Sequence, residues 1–196
     1  MLGTVLLDST DLDMLDRATR SFSQVLEPLD VTTLDRPTAC GDWTVKDVAN
    51  HVCGGALRYA HYLRGGMPEE IAWTRTADNV GNDPRAAHDN LSAELRTLFA
   101  QPAAGSIRAH HPMQTVSGGA LLRMRAVELA VHGWDIASTL DATSTIDNDL
   151  AVYLLDRAAS ILRAQRERGY FADVEPAGQH ATASAQLLAL SGRSTR

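Results

Sequence analysis

Glu128 and His132 stand four residues apart in the run Gly118 to Leu140, a spacing that sets a carboxylate and an imidazole side by side on one helix face. Around them Leu121, Leu122, Met124, Val127, Leu129, Ala130, Val131, Trp134 and Ile136 cover the whole helical wheel. A helix apolar all round sits in the middle of a fold. A lone ionised carboxylate there would cost several kcal/mol or neutralise itself. Two arrangements relieve that cost: a buried pair hydrogen-bonded to each other, or a metal ion held by both. A metal calls for a third ligand, and His51 offers one from a second helix. On the same side of that helix follow Gly54, Gly55, Arg58 and Tyr62. Glycine inside a helix costs about 1 kcal/mol relative to alanine, so the pair implies close approach of another helix or a ligand. His51, Glu128 and His132 would leave an open coordination position, as catalytic zinc sites do. Imidazole with carboxylate also suits Ni²⁺, Fe²⁺ or Co²⁺. Asp135, three residues after His132, is placed to orient a ligand imidazole. Arg58, Tyr62 and Arg125 could bind an anionic substrate or thiol carboxylate; for Arg125, pairing with Glu128 is the alternative.

The elements that must position these residues read as helices. Thr10-x-x-Asp13 resembles a capping box, and the stripe Leu12, Leu15, Phe22, Val25 and Leu26 carries a first helix to Pro28. Thr44-x-x-Asp47 opens a second, which Gly65-Gly66 ends. Residues 67–82 hold no clear period and predict a long loop. Asp83-Pro84 caps a third helix that runs to Pro102. Residues 103–119 predict a loop or a short hairpin before the buried fourth helix. A fifth helix is predicted from Asp147 to Gly169, and a short apolar piece, Ala185 to Leu190, follows an irregular tail. Helical spacing with little strand signal means an all-α bundle, one domain over residues 1–196.

Composition bounds the function. A net charge of −6, with no Lys/Arg-rich stripe, argues against a nucleic-acid partner. No segment approaches the ~20 apolar residues of a membrane span, and the first residues lack a signal-peptide pattern. Cys40 and Cys53 are too few for a disulfide framework, so a reducing cytoplasm is expected. Without a visible activating base, both thiols read as packing residues. His110-His111 reads as solvated loop, His61, His88 and His180 have no evident partners, and Trp43, Trp73 and Trp134 read as core or pocket wall. A homodimer is compatible with a chain of this size.

The segments from Leu34 to Gly55 and from Val127 to Ala137 resemble two signatures of DinB-like metal-binding proteins. The branch they resemble is named after mycothiol-dependent maleylpyruvate isomerase. The ending Leu187-Leu188-Ala189-Leu190-Ser191-Gly192-Arg193 is similar to the carboxyl terminus of its small members. The resemblance implies a DinB-like up-down four-helix bundle with an additional carboxyl-terminal helix. It implies a divalent metal, zinc foremost, on His51, Glu128 and His132, and partnership with mycothiol or another low-molecular-weight thiol. The isomerase is expected to carry a further carboxyl-terminal domain for which this chain leaves no room. The activity implied is thiol activation, for transfer to or isomerisation of a small electrophile. Metal-hydroxide hydrolysis and non-catalytic sequestration of a small molecule are the alternatives the residues leave open.

Overall fold

The computed structural model describes residues 7–141, 143–178 and 180–194. Residues 1–6, most of the stretch read as lacking a signal peptide, lie outside the described residues. Helix α1 (Ser9–Leu26) is capped by Asp8, whose carboxylate accepts from the Asp11 amide while that of Asp11 accepts from the Asp8 amide. The cap therefore lies two residues before the Thr10/Asp13 pair expected from the sequence. Asp11 gains by this register, because its side chain is fully buried and the Asp8 amide joins the groups that satisfy it. The others come from across the core: Arg123 donates to both of its oxygens at 3.0 and 3.1 Å, and the Tyr153 hydroxyl donates to one.

Helix α2 (Val45–Leu63) opens on the expected box, Thr44 with Asp47, and Gly65 turns the chain away in the left-handed region at φ +84°. The long loop predicted next holds a 3₁₀ helix, Pro68–Arg75. Its period escaped the sequence because three residues per turn give no stripe at 3.6 spacing. Asn50 of α2 pins the turn after this 3₁₀ helix: its amide donates to Ala77 O at 2.9 Å and its oxygen accepts from the Asn79 amide at 2.6 Å. Helix α3 (Pro84–Phe99) starts at the Asp83 cap. The hairpin alternative holds before the fourth helix: β1 (Arg108–His111) pairs antiparallel with β2 (Gln114–Ser117), Ala109 opposite Val116. Then come α4 (Gly118–Leu140), α5 (Asn148–Arg157), α6 (Ala159–Glu167) and α7 (Ala183–Leu190).

The expected single fifth helix is thus two, broken at Ala158 (φ −123°, ψ −4°). The apolar spacing continues through the break, so periodicity could not show it; the bend turns Ile161 and Gln165 of α6 toward a cavity. Helix α1 packs on α4 and α3, and α2 packs on α3 and α4, which makes the four-helix bundle. Helices α5 and α7 lie against each other, with Leu150, Leu154, Leu187 and Leu188 joining the same core. No helix among the described residues is long and apolar enough to cross a membrane.

Two buried polar groups make the stability of this core measurable. Arg123→Met leaves the Asp11 carboxylate buried without its cation, and urea unfolding should report a loss of about 3–5 kcal/mol. His88, fully buried between Ser92 and Phe22, is pushed by burial down to about 4. Below pH 6.5 the unfolded chain binds a proton that the folded chain refuses until about pH 4. Stability from this residue is therefore complete above that window and falls as pH drops through it, by about 3 kcal/mol. Unfolding midpoints measured from pH 7 to pH 4 should fall less steeply for His88→Gln.

Candidate functional site

Between Gly118 and Ile136 every residue of α4 is buried except Ala120, Glu128 and His132. The two polar residues singled out by spacing are thus where the central helix opens. They face a cavity of about 500 Å³ bounded by α2, α4, α6, the hairpin and the segment around Tyr170 and Phe171. Glu128 and His132 are not bonded to each other. His51 Nε2 lies 3.2 Å from Glu128 Oε1, and Arg125 Nη1 donates to Glu128 Oε2 at 2.8 Å. The His51 and His132 rings meet edge to face, centroids 5.2 Å apart, and Trp43 covers both at 4.8 and 6.1 Å. Burial pushes the Glu128 carboxyl up, but Arg125 and the His51 hydrogen bond outweigh it and hold the group well below the usual carboxylate range.

The glycine pair now has its reason. A Cβ on Gly55 would stand 2.8 Å from Glu128 Oε1 and 3.1 Å from Arg125 Nη1. One on Gly54 would stand 2.9 Å from Arg58 Nη1 and from Thr74 O. The pair therefore clears room for a carboxylate on one side and a guanidinium on the other.

His132 is oriented from behind. Its Nδ1 lies 2.9 Å from Asp135 Oδ2, so Nδ1–H donates to the carboxylate and Nε2 keeps its lone pair for the cavity. Burial holds the imidazole below its ordinary value despite Asp135, which favours the neutral, ligating form. Asp135, fully buried, is gripped in turn by Arg193, with Nε to Oδ1 at 3.1 Å and Nη2 to Oδ2 at 2.7 Å. Burial raises the Asp135 carboxyl, and the hydrogen bonds from His132 and Arg193 outweigh it. Arg193 Nη2 also donates to Cys40 Sγ at 3.4 Å.

Two donor sets compete for a cation here. Cys40, His132 and Asp135 bring ligand atoms within 4.8 Å of one another. Arg193 already donates to two members of that set, and burial drives the Cys40 thiol up, away from the thiolate a metal needs. His51, Glu128 and His132 face the open cavity with nitrogen and oxygen donors of the kind that suits a divalent ion, although Arg125 already donates to one Glu128 oxygen.

The remaining predicted residues divide. Arg58 and Tyr62 line the cavity; Arg58 Nη1 donates to Thr74 Oγ1 at 3.1 Å and Nη2 to His51 O at 3.2 Å. Arg125 is buried behind Glu128, outside the lining, with Nη1 also donating to Val52 O at 2.8 Å. It takes the pairing alternative, for which a turn of helix gives the right reach. Its Nη2 is buried with no partner among the described residues. His111 is a wall residue on β1 packed against Tyr59 and Tyr62, not solvated loop. Trp73 is 57% exposed, neither core nor wall. Arg193, Arg75, Tyr59 and His111 carry no local spacing that could have flagged them, since the fold alone brings them here.

The sequence pattern of the mycothiol maleylpyruvate isomerase N-terminal domain matches residues 15–137. Two relatives in Mycobacterium tuberculosis, the uncharacterized proteins MT0763 and Rv0738, are each 29% identical over 182 residues, 92% of this chain and 96% of theirs. The crystal structure of the mycothiol-dependent maleylpyruvate isomerase superposes with a TM-score of 0.68 at 18% identity, covering 95% of this chain and 89% of that one. A histidine-to-alanine mutant of the same enzyme gives 0.69 at 16%. At these identities the superpositions speak for the fold.

Gly55→Ala tests the carboxylate's cradle. Alanine favours the helix by about 1 kcal/mol, but its Cβ would push Glu128 away from the buried Arg125, so thermal stability should fall. The displaced Glu128 should weaken zinc binding, measured by competition with a chromogenic chelator, by about tenfold or more.

Proposed function

The chain belongs to the family of the mycothiol maleylpyruvate isomerase N-terminal domain, and on that premise we propose that it is a metal-dependent enzyme using a low-molecular-weight thiol. The thiol, mycothiol in first place, would attack a small electrophile, giving isomerisation or thiol transfer. The observation that carries this reading is the convergence of His51, Glu128 and His132 where a buried helix opens, on the wall of a cavity sized for a small molecule. These three residues would hold a divalent ion, zinc foremost. Bound there, the ion would lower the pKa of a thiol so that the thiolate is available at neutral pH.

The chain's own residues account for the rest. Asp135 fixes His132 with Nε2 toward the cavity, and Arg193 fixes Asp135. Arg125 keeps Glu128 ionised. Trp43 lies over both imidazoles and limits water at that end, while Met113, Met124 and Val127 give the cavity apolar wall for a small substrate. Neither cysteine supplies the nucleophile. Burial raises Cys40, and drives Cys53 to about 11, so both stay protonated thiols at neutral pH. An exogenous thiol fits better than a protein one.

Maleylpyruvate, named for the structural neighbours, is the first electrophile to assay. Wild-type protein loaded with zinc should turn it over, or conjugate a generic electrophile, with mycothiol present and not with water alone. His132→Ala should bind less than one equivalent of metal by mass spectrometry and lose at least a hundredfold in rate. Turnover without thiol would replace this reading with metal-hydroxide hydrolysis, and stoichiometric binding without product would replace it with sequestration.

A further inference from the structure

We propose that the wall formed by Arg58 and Arg75 is a carboxylate-recognition site, which receives an anionic end of the small molecule whose reactive end lies at His51, Glu128 and His132. This deepens the reading above and rests on it only for the position of the reactive end. The charge around the cavity points to an anion. The protein carries −6 overall, yet three arginines, Arg58, Arg75 and Arg193, line this cavity, and Glu128 is the one carboxylate among the described lining residues. Arg193 is neutralised by Asp135, and Glu128 by Arg125. Arg58 and Arg75 are left. Neither makes an ion pair among the described residues, although Arg58 is only 6% exposed. A buried guanidinium without a counter-ion is costly, and a bound carboxylate would relieve it.

The neighbours of the two arginines suit the same ligand. Tyr59 and Tyr62, both buried, line the cavity, and neither hydroxyl has a hydrogen-bond partner among the described residues. His111 accepts from the Met113 amide through Nδ1 at 3.3 Å, which assigns the proton to Nε2 and makes that atom a donor. Two guanidinium groups, two phenols and a neutral imidazole donor thus share one wall. Gly54 makes this possible, since any side chain there would strike Arg58 and Thr74 O. Arg58 is held in place by Thr74 and the His51 carbonyl, whereas Arg75 is exposed at the end of its 3₁₀ helix and can swing onto a ligand.

Calorimetric titration with maleate, a small dicarboxylate without thiol or ketone, tests the wall, with the uncharged maleamide as control. Wild type and His132→Ala should both bind maleate and neither should bind maleamide. Arg75→Ala should bind at least about tenfold more weakly and Arg75→Lys should fall between, as loss of one charge-assisted pair predicts. Circular dichroism should show all variants folded, Arg75 being exposed. Wild-type affinity in Arg75→Ala, or no maleate binding to any form, overturns the proposal. Maleate binding lost in His132→Ala but kept in Arg75→Ala also overturns it, placing the carboxylate on the proposed metal while leaving the enzyme reading intact. Conversely, a metal-free protein whose maleate binding depends on Arg75 removes the enzyme reading and keeps the wall. A second arm identifies the carboxylate's source. Tighter binding of N-acetylcysteine than of N-acetylcysteamine, erased by Arg75→Ala, assigns it to the thiol; equal binding of both, with Arg75-dependent maleate binding, assigns it to the electrophile.

Discussion

The structure is organised by the difficulty of keeping one carboxylate charged inside an apolar helix. Glu128 stands on α4, whose other faces are packed by α1, α2 and α5, and an ionised group there needs compensation from every side. Arg125 supplies it from one helical turn away, His51 supplies it from α2, and Gly55 is a glycine because a Cβ would occupy the carboxylate's place. Arg125 is itself tied down through the Val52 carbonyl of α2. Removing any one of these leaves another group uncompensated in low dielectric, where polar networks are most costly when half satisfied.

A second chain of contacts joins the far end of the polypeptide to the same place. Arg193, just after α7, grips Asp135, which sets the tautomer of His132. The carboxyl-terminal helix therefore does more than cover the core. Its docking against α5 carries an arginine into hydrogen-bond range of the central helix, so the order of the last residues and the orientation of a candidate ligand are one problem. Asp11, Arg123 and Tyr153 repeat this solution on the opposite side of the bundle, with a buried acid, an arginine from α4 and a hydroxyl from α5. None of that second cluster lines the cavity beside Glu128, and it reads as architecture.

The contrast between the two clusters separates stability from function. Both bury an acid against an arginine of α4. Only the Glu128 cluster stands where the helix opens, beside His132, whose Nε2 lone pair is left for the cavity. The cavity's polar groups also lean one way, toward donors and cations, while the protein as a whole is acidic. Field lines of that sign focus anions into a recess that the rest of the surface would repel.

Read alone, the sequence determined what depends on local periodicity and on side-chain chemistry. The all-round apolar character of α4, the i, i+4 spacing of Glu128 and His132, the Thr44 and Asp83 caps and the cost of Gly54-Gly55 were all legible, because each is a property of a few turns of helix. The hairpin was legible as one of two alternatives. Tertiary structure decided the rest. It placed the first cap at Asp8, where Asp11 meets Arg123. It bent the fifth helix at Ala158 without interrupting the apolar stripe. It sent Arg125 behind Glu128 and His111 into the wall. It brought Arg193, 58 positions away, onto Asp135. No spacing rule reaches that far, since such contacts exist only after the helices have chosen their neighbours and buried charges have found the partners that make burial tolerable.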